Sequence, residues 1–163
     1  MRMNAKSRIL GAVAILAATS LPALAQQLPT DTVYRGPVQY PDFESKYKQY
    51  SFWKIKNPII AAVSTGPDFA GHYTVAIASC GTDCSSVYIV DVATGQIYDF
   101  PYQGEKYRGK SIYYNAKSTF MKVTWLQDDY CLTDTLNFDP VGYKSKGSRV
   151  TSANKAHNPD LCE

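Results

Sequence analysis

Tyr73-Thr74-Val75-Ala76-Ile77-Ala78-Ser79, then Cys80-Gly81-Thr82-Asp83-Cys84, then Ser86-Val87-Tyr88-Ile89-Val90-Asp91-Val92: two runs rich in Val, Ile and Tyr meet at a short segment bounded by cysteines. Runs of this composition suit extended strands, and the Gly-Thr-Asp segment between them supplies a turn. The stretch therefore predicts a β-hairpin with Cys80 and Cys84 at its tip, close enough to be joined.

Working outward, the downstream sequence continues in the same grammar. Asp91-Val92-Ala93-Thr94-Gly95-Gln96 is a second turn leading into a strand over Ile97 to Phe100, and Gln103 to Lys110 is a charged loop with two glycines. Ser111 to Tyr114 and Phe120 to Leu126 form another predicted hairpin, turning at Asn115-Ala116-Lys117-Ser118. Cys131 to Phe138 and Val141 to Ser145 form a further one, turning at Asp139-Pro140, and the last dozen residues carry little pattern. Upstream, Ser64-Thr65-Gly66-Pro67-Asp68 is a turn cluster. Before it, a helix is expected to start at Asp42, whose carboxylate can cap free backbone N–H groups. Phe43, Tyr47, Tyr50 and Trp53 would share its apolar face at spacings of four, three and three, with Lys46, Lys48 and Gln49 on the other side. Asn57-Pro58 should end or kink that helix, with Ile59 to Val63 forming a short further turn capped by Asn57. Residues 26–41, with Pro29, Pro37 and Pro41, read as an extended lead-in.

The first 25 residues read differently. Arg2, Lys6 and Arg8 precede an apolar run from Ile9 to Ala18, and Ala23-Leu24-Ala25 is a small-x-small cleavage site, the pattern of a secretory signal peptide cut between Ala25 and Gln26. The charge balance follows from it. The whole chain of 163 residues holds 17 Lys+Arg and 14 Asp+Glu; the leader removes three of the bases and none of the acids, leaving 14 of each. A formally neutral mature chain argues against a nucleic-acid binder or an electrostatically held membrane protein. No second apolar run of transmembrane length follows the leader, and no cysteine sits behind the cleavage point to take a lipid. Export to a periplasm or beyond the cell places Cys80, Cys84, Cys131 and Cys162 in an oxidising space, so an even count reads as two disulfides. Three pairings are open, and the spacing favours Cys80–Cys84 with Cys131–Cys162.

These readings sum to a single α+β, mostly β domain over residues 42–163. It has an N-terminal helix packed on one meandering antiparallel sheet of about six to seven strands, stapled by disulfides. The run Gly66-Pro67-Asp68-Phe69-Ala70-Gly71-His72-Tyr73, followed by Cys80-Gly81-x-x-Cys84 and Val90-Asp91-x-x-Thr94-Gly95-x-Ile97-Tyr98, resembles a group of small exported bacterial proteins of unassigned function. They share a GPxFAGxY, CGxxC, VDxxTGxhY pattern behind a Pro-Asp-Phe segment, here Pro41-Asp42-Phe43. The resemblance spans roughly residues 37–101 and implies a fold and a location; it implies no catalytic residues. Ala78-Ser79 departs from the Trp-Gly pair that usually flanks the cysteine segment in that group.

Chemistry-bearing constellations are few. Asp68 and His72 could meet across their loop, and Ser64 or Thr65 could complete a hydrolytic set; the simpler reading makes Asp68 a turn stabiliser and His72 the approach to a strand. Cys80 and Cys84 with His72 and His157 could supply four metal ligands, but only as free thiolates. Neither a Gly-x-Ser-x-Gly elbow nor a His-Glu-x-x-His pair occurs, and Asp128-Asp129 lack calcium-loop spacing. No cofactor or metal is expected, and no catalytic residue is assigned. The 13 Tyr, 6 Phe and 2 Trp exceed the needs of a core this small. Tyr113 and Tyr114 must face opposite sides of a strand, so only one can enter a one-faced core. Tyrosine offers large contact area at low entropic cost. The expected function is therefore a non-catalytic exported binding protein, an inhibitor or immunity protein docking a periplasmic or secreted protein. Asp68, Phe69, His72, Tyr73, Tyr113 and Tyr114 are its candidate contacts, with the Gly66 to Tyr73 loop a rigid ledge beside the hairpin tip. The alternative is a small envelope enzyme or metal carrier using the Ser64 to His72 loop and the Cys80/Cys84 tip.

Overall fold

The computed structural model describes residues 32–128, 130–139, the backbone of 152–155, and 162. The leader, its cleavage site and the proposed Val141 to Ser145 strand lie outside the described residues. Among the described residues, one α-helix and seven strands follow in chain order: α1 (Trp53–Ser64), β1 (Tyr73–Gly81), β2 (Cys84–Asp91), β3 (Gln96–Asp99), β4 (Arg108–Tyr113), β5 (Phe120–Gln127), β6 (Tyr130–Asn137) and β7 (Ser152–Lys155). They form two antiparallel sheets, of order β1-β2-β3 and β4-β5-β6-β7, rather than the single sheet expected. The reason lies in β2. Tyr88 and Val90 pack with Ile59, Val63, Phe43 and Tyr47 on one face, while Val87 and Ile89 pack with Met121, Val123 and Trp125 on the other. A strand apolar on both sides needs both faces covered, so the helix takes one and the second sheet takes the other.

Two of the predicted hairpins are present. Thr74 pairs with Val90, Ala76 with Tyr88 and Ala78 with Ser86, and Ile112 pairs with Val123 across the next hairpin. Cys80 is bonded to Cys84 and Cys131 to Cys162, with Cα–Cα distances of 5.1 and 5.5 Å. Gln103 to Lys110 is not a loop throughout. It holds a 3-10 turn, Glu105–Tyr107, and then the start of β4, where a register irregularity accommodates Gly109 at φ 56°.

The helix starts later than expected. Asp42 does cap, its Oδ1 accepting the Glu44 and Ser45 N–H groups at 3.0 Å, but the turn it closes gives way to a 3-10 turn at Lys48–Tyr50. The Ser51 hydroxyl bonds back to the Lys48 carbonyl at 2.6 Å, and Phe52 is extended at φ −58°, ψ 130°. That break turns Trp53 away from Phe43 and Tyr47: those two are buried, whereas Trp53 is 61% exposed. Pro58 lies inside α1 rather than at its end. It withholds one hydrogen bond, from the carbonyl of Lys54 on the exposed side of the helix where water can replace it, so the helix runs through.

The β7 strand was not expected, because Ser-Ala-Asn-Lys carries no strand signal. Its placement is tertiary: Cys131 pairs in register with Asn154 and is bonded to Cys162, whose carbonyl accepts the Thr124 hydroxyl at 2.9 Å on the outer face of the second sheet. Cutting either staple has a graded cost. Cys84→Ser should lower the urea-derived unfolding free energy by about 2 kcal/mol, and Cys162→Ser by about 3–4 kcal/mol, following the lengths of the loops they close. Equal losses, or a larger loss for Cys84→Ser, would contradict this ranking.

Candidate functional site

The loop before β1 is a clamp, and most of its side chains face inward. Ala70 and Gly71 take positive φ (44° and 85°), folding the chain so that the Asp68 and Phe69 N–H groups both reach the Tyr73 carbonyl at 2.9 Å. Tyr34 N–H donates to the Gly71 carbonyl, and Gly71 N–H to that of Ala116. Phe69, His72 and Tyr73 are buried. Phe69 meets Tyr114 and Phe138 edge-on or tilted, and Tyr73 meets Phe138 edge-on at 4.7 Å. These three residues hold the frame and present no contact surface. The loop is tied down by these bonds, yet it is not beside the disulfide tip: from Tyr73 to Cys80, β1 extends on the order of 23 Å.

The carboxylates here serve the fold. Asp68 accepts the Val75 N–H at 3.0 Å and the Tyr114 hydroxyl at 3.2 Å; partial burial raises its carboxyl above the usual value despite these bonds. His72 turns away from Asp68 and lies 3.0 Å from Asp91, with Nδ1 facing Oδ1. Burial opposes the Asp91 charge, but the bonds from His72 and from Ala93 N–H outweigh it and hold the carboxyl below its ordinary value. Ser64 and Thr65 donate to the Ala61 and Ala62 carbonyls. Every member of the imagined hydrolytic set is thus committed elsewhere, and both thiols of the imagined metal site are in a disulfide. Tyr113 and Tyr114 divide as the strand period requires: Tyr113 is 41% exposed with the Lys122 ammonium 4.3 Å from its ring, while Tyr114 packs on the core.

An open concave feature lies at the other end of β1. Trp53, Lys54, Asn57 and Pro58 of α1 form one wall and Ser79, Cys80 and Gly81 the other, enclosing a cleft of about 410 Å³. It arises because Phe43 to Tyr50 covers the β2–β3 side of the sheet, where Tyr50 meets Tyr88 edge-on and donates to Asp99 at 2.9 Å. The helix is left over β1, where Ala76 and Ala78 let it approach closely. The floor is stiff. The disulfide closes the tip, the Asp83 carbonyl accepts Gly109 N–H at 3.0 Å, and Lys110 Nζ donates to the Ser85 and Tyr102 carbonyls at 2.7 and 2.8 Å. Burial lowers that ammonium to a pKa of about 8. Trp53 lines the cleft with the Phe52 ring beside it at 5.9 Å, the two being 61% and 55% exposed, and Lys54 Nζ lies 5.5 Å from the Trp53 ring. No carboxylate lines the cleft among the described residues. The sequence reading missed this wall by assigning Trp53 to a buried helix face; the adjacent pair Phe52-Trp53 just ahead of a proline-containing helix was the available signal.

No protein-family model matches the chain, and neither a curated protein nor a solved structure matches it.

The two perturbed carboxylates give a pH signature. Asp91, held below its unfolded value, contributes stability that is present above that value and lost as pH falls through its folded pKa. Asp68, held above it, contributes in the opposite sense: its share is complete below the unfolded value and is lost as pH rises through its folded pKa. Asp91→Asn should therefore flatten the loss of stability below about pH 4, whereas Asp68→Asn should make stability climb more steeply just above that pH. Urea midpoints between about pH 2.5 and 6 measure both slopes, and two variants shifting in the same direction would refute the assignment.

Proposed function

We propose that this is an exported, non-catalytic binding protein, and that the cleft between the start of α1 and the Cys80–Cys84 tip is where it docks another protein of the envelope or the extracellular space. The carrying observation is the exposed Phe52 and Trp53 pair standing over a disulfide-stiffened floor. Large aromatics beside a concave, apolar-walled site are the residues on which binding energy concentrates. Export is supported by the leader pattern in residues 1–25 and by two disulfides; no helix among the described residues is long and apolar enough to cross a membrane. The likeness to small exported bacterial proteins agrees with that location. Inhibition of an envelope enzyme or neutralisation of a secreted toxin is the biological role such a docking protein would fill.

The test uses Trp53→Ala. Because Trp53 is largely exposed, its truncation should change stability by about 0.5 kcal/mol or less, leaving circular dichroism and melting temperature near those of the parent. Affinity for a partner recovered in stoichiometric amount from envelope extract should fall about 30-fold, the value of a hot-spot aromatic. A partner that binds both forms equally, or no stoichiometric partner at all, argues against the cleft as the docking site.

A further inference from the structure

The cleft continues into an unguarded sheet edge. β1 is the outer strand of its sheet. Its residues alternate in where their backbone groups point. Val75 N–H bonds outward to the Asp68 carboxylate and not to β2, so the groups of Ile77 and Ser79, two and four residues on, also point outward. The opposite strand agrees: Val87, across from Ile77, turns its N–H and C=O away from β1 to the Gln103 side-chain amide. The Val75 carbonyl, the Ile77 N–H and carbonyl, and the Ser79 N–H are therefore aligned along the edge, and none of the described residues takes them.

Folded proteins ordinarily protect such an edge with lysine, proline, a bulge or a covering segment. From Tyr73 to Gly81 this strand has no charged residue and no proline, and its one irregularity comes after Ser79. Asp68 closes the edge at Val75 and the disulfide tip closes it beyond Ser79, leaving a window between them. In that window Ile77 is 53% exposed.

We propose that an extended segment of the partner protein adds to this edge as a further strand. This rests on the docking role given to the cleft and specifies its mode. The ladder groups of Ile77 and Ser79 supply main-chain hydrogen bonds, and successive side chains of the incoming strand fall on alternate faces. Those on one face lie along Ile77; those on the other enter the cleft against Trp53 and Pro58. With Lys54 the charged group of the cleft and no carboxylate lining it among the described residues, the fitting segment alternates apolar residues at period two and carries an acidic residue toward Lys54.

The probe is a phage-displayed library of linear decapeptides panned on the oxidised protein, followed by amide exchange with a synthesised winner. In the free protein the Ile77 and Ser79 amides should exchange as open edge amides, and saturating peptide should slow both about tenfold or more while shifting the Trp53 indole signal. Ile77→Pro removes only an outward N–H, a position where an edge strand tolerates proline, and should weaken the peptide about tenfold. If that variant does not fold, exchange in the parent protein decides. Ile77 and Ser79 amides already protected in the free protein would mean that its own chain or a second copy covers the edge, and the proposal falls. A library that yields no binder removes the peptide occupant. A peptide that shifts Trp53 but leaves both amides open overturns strand addition and preserves the cleft; one that touches neither removes both.

Discussion

Val87 and Ile89 leave one face of β2 and Tyr88 and Val90 leave the other, and all four are at most 7% exposed. Fully burying side chains of this size stabilises the fold by about 1.5–3 kcal/mol each, and only a layer on each side of the strand can do it. Phe43, Tyr47, Ile59 and Val63 build one layer; Met121, Val123, Trp125 and Leu136 build the other. The two sheets, the position of α1 and the crossing from β3 to β4 all follow from covering that one strand twice.

Covering β2 in this way also determines what stays open. The aromatic segment before α1 is used up over β2 and β3, so the helix is left above β1, and no described strand lies beyond it. Both ends of β1 are secured, by the Asp68 and His72–Asp91 contacts at the start and by the disulfide and the Lys110 strap at the tip. Polar groups that look chemical in one dimension are here the means of ending a strand or closing a loop. The same economy holds in the second sheet, where buried Asp134 accepts the Tyr102 hydroxyl and Thr135 N–H and so ties the crossing segment to β6.

Local chemistry determined a great deal on its own. Two Val/Ile/Tyr runs around Gly81-Thr82-Asp83 specify a hairpin because turn and strand preferences agree over adjacent residues, and the short Cys80–Cys84 spacing makes their bond almost a consequence of that turn. The Tyr113/Tyr114 division follows from the two-residue period of a strand, whatever surrounds it. What sequence could not decide was which faces would be covered and by what. Trp53 keeps helical spacing with Tyr47 and Tyr50, but an extended Phe52 rotates it out to the cleft rim; Ser152–Lys155 has no strand preference, yet pairs along β6, whose Cys131 is bonded to Cys162. His72 found Asp91, nineteen residues away, in preference to the nearer Asp68, because pairing β1 with β2 brings Tyr73 opposite Asp91. Contacts between neighbours in sequence are set by local preference, whereas those between distant segments exist only once two layers close on β2, and the candidate site is made of the second kind.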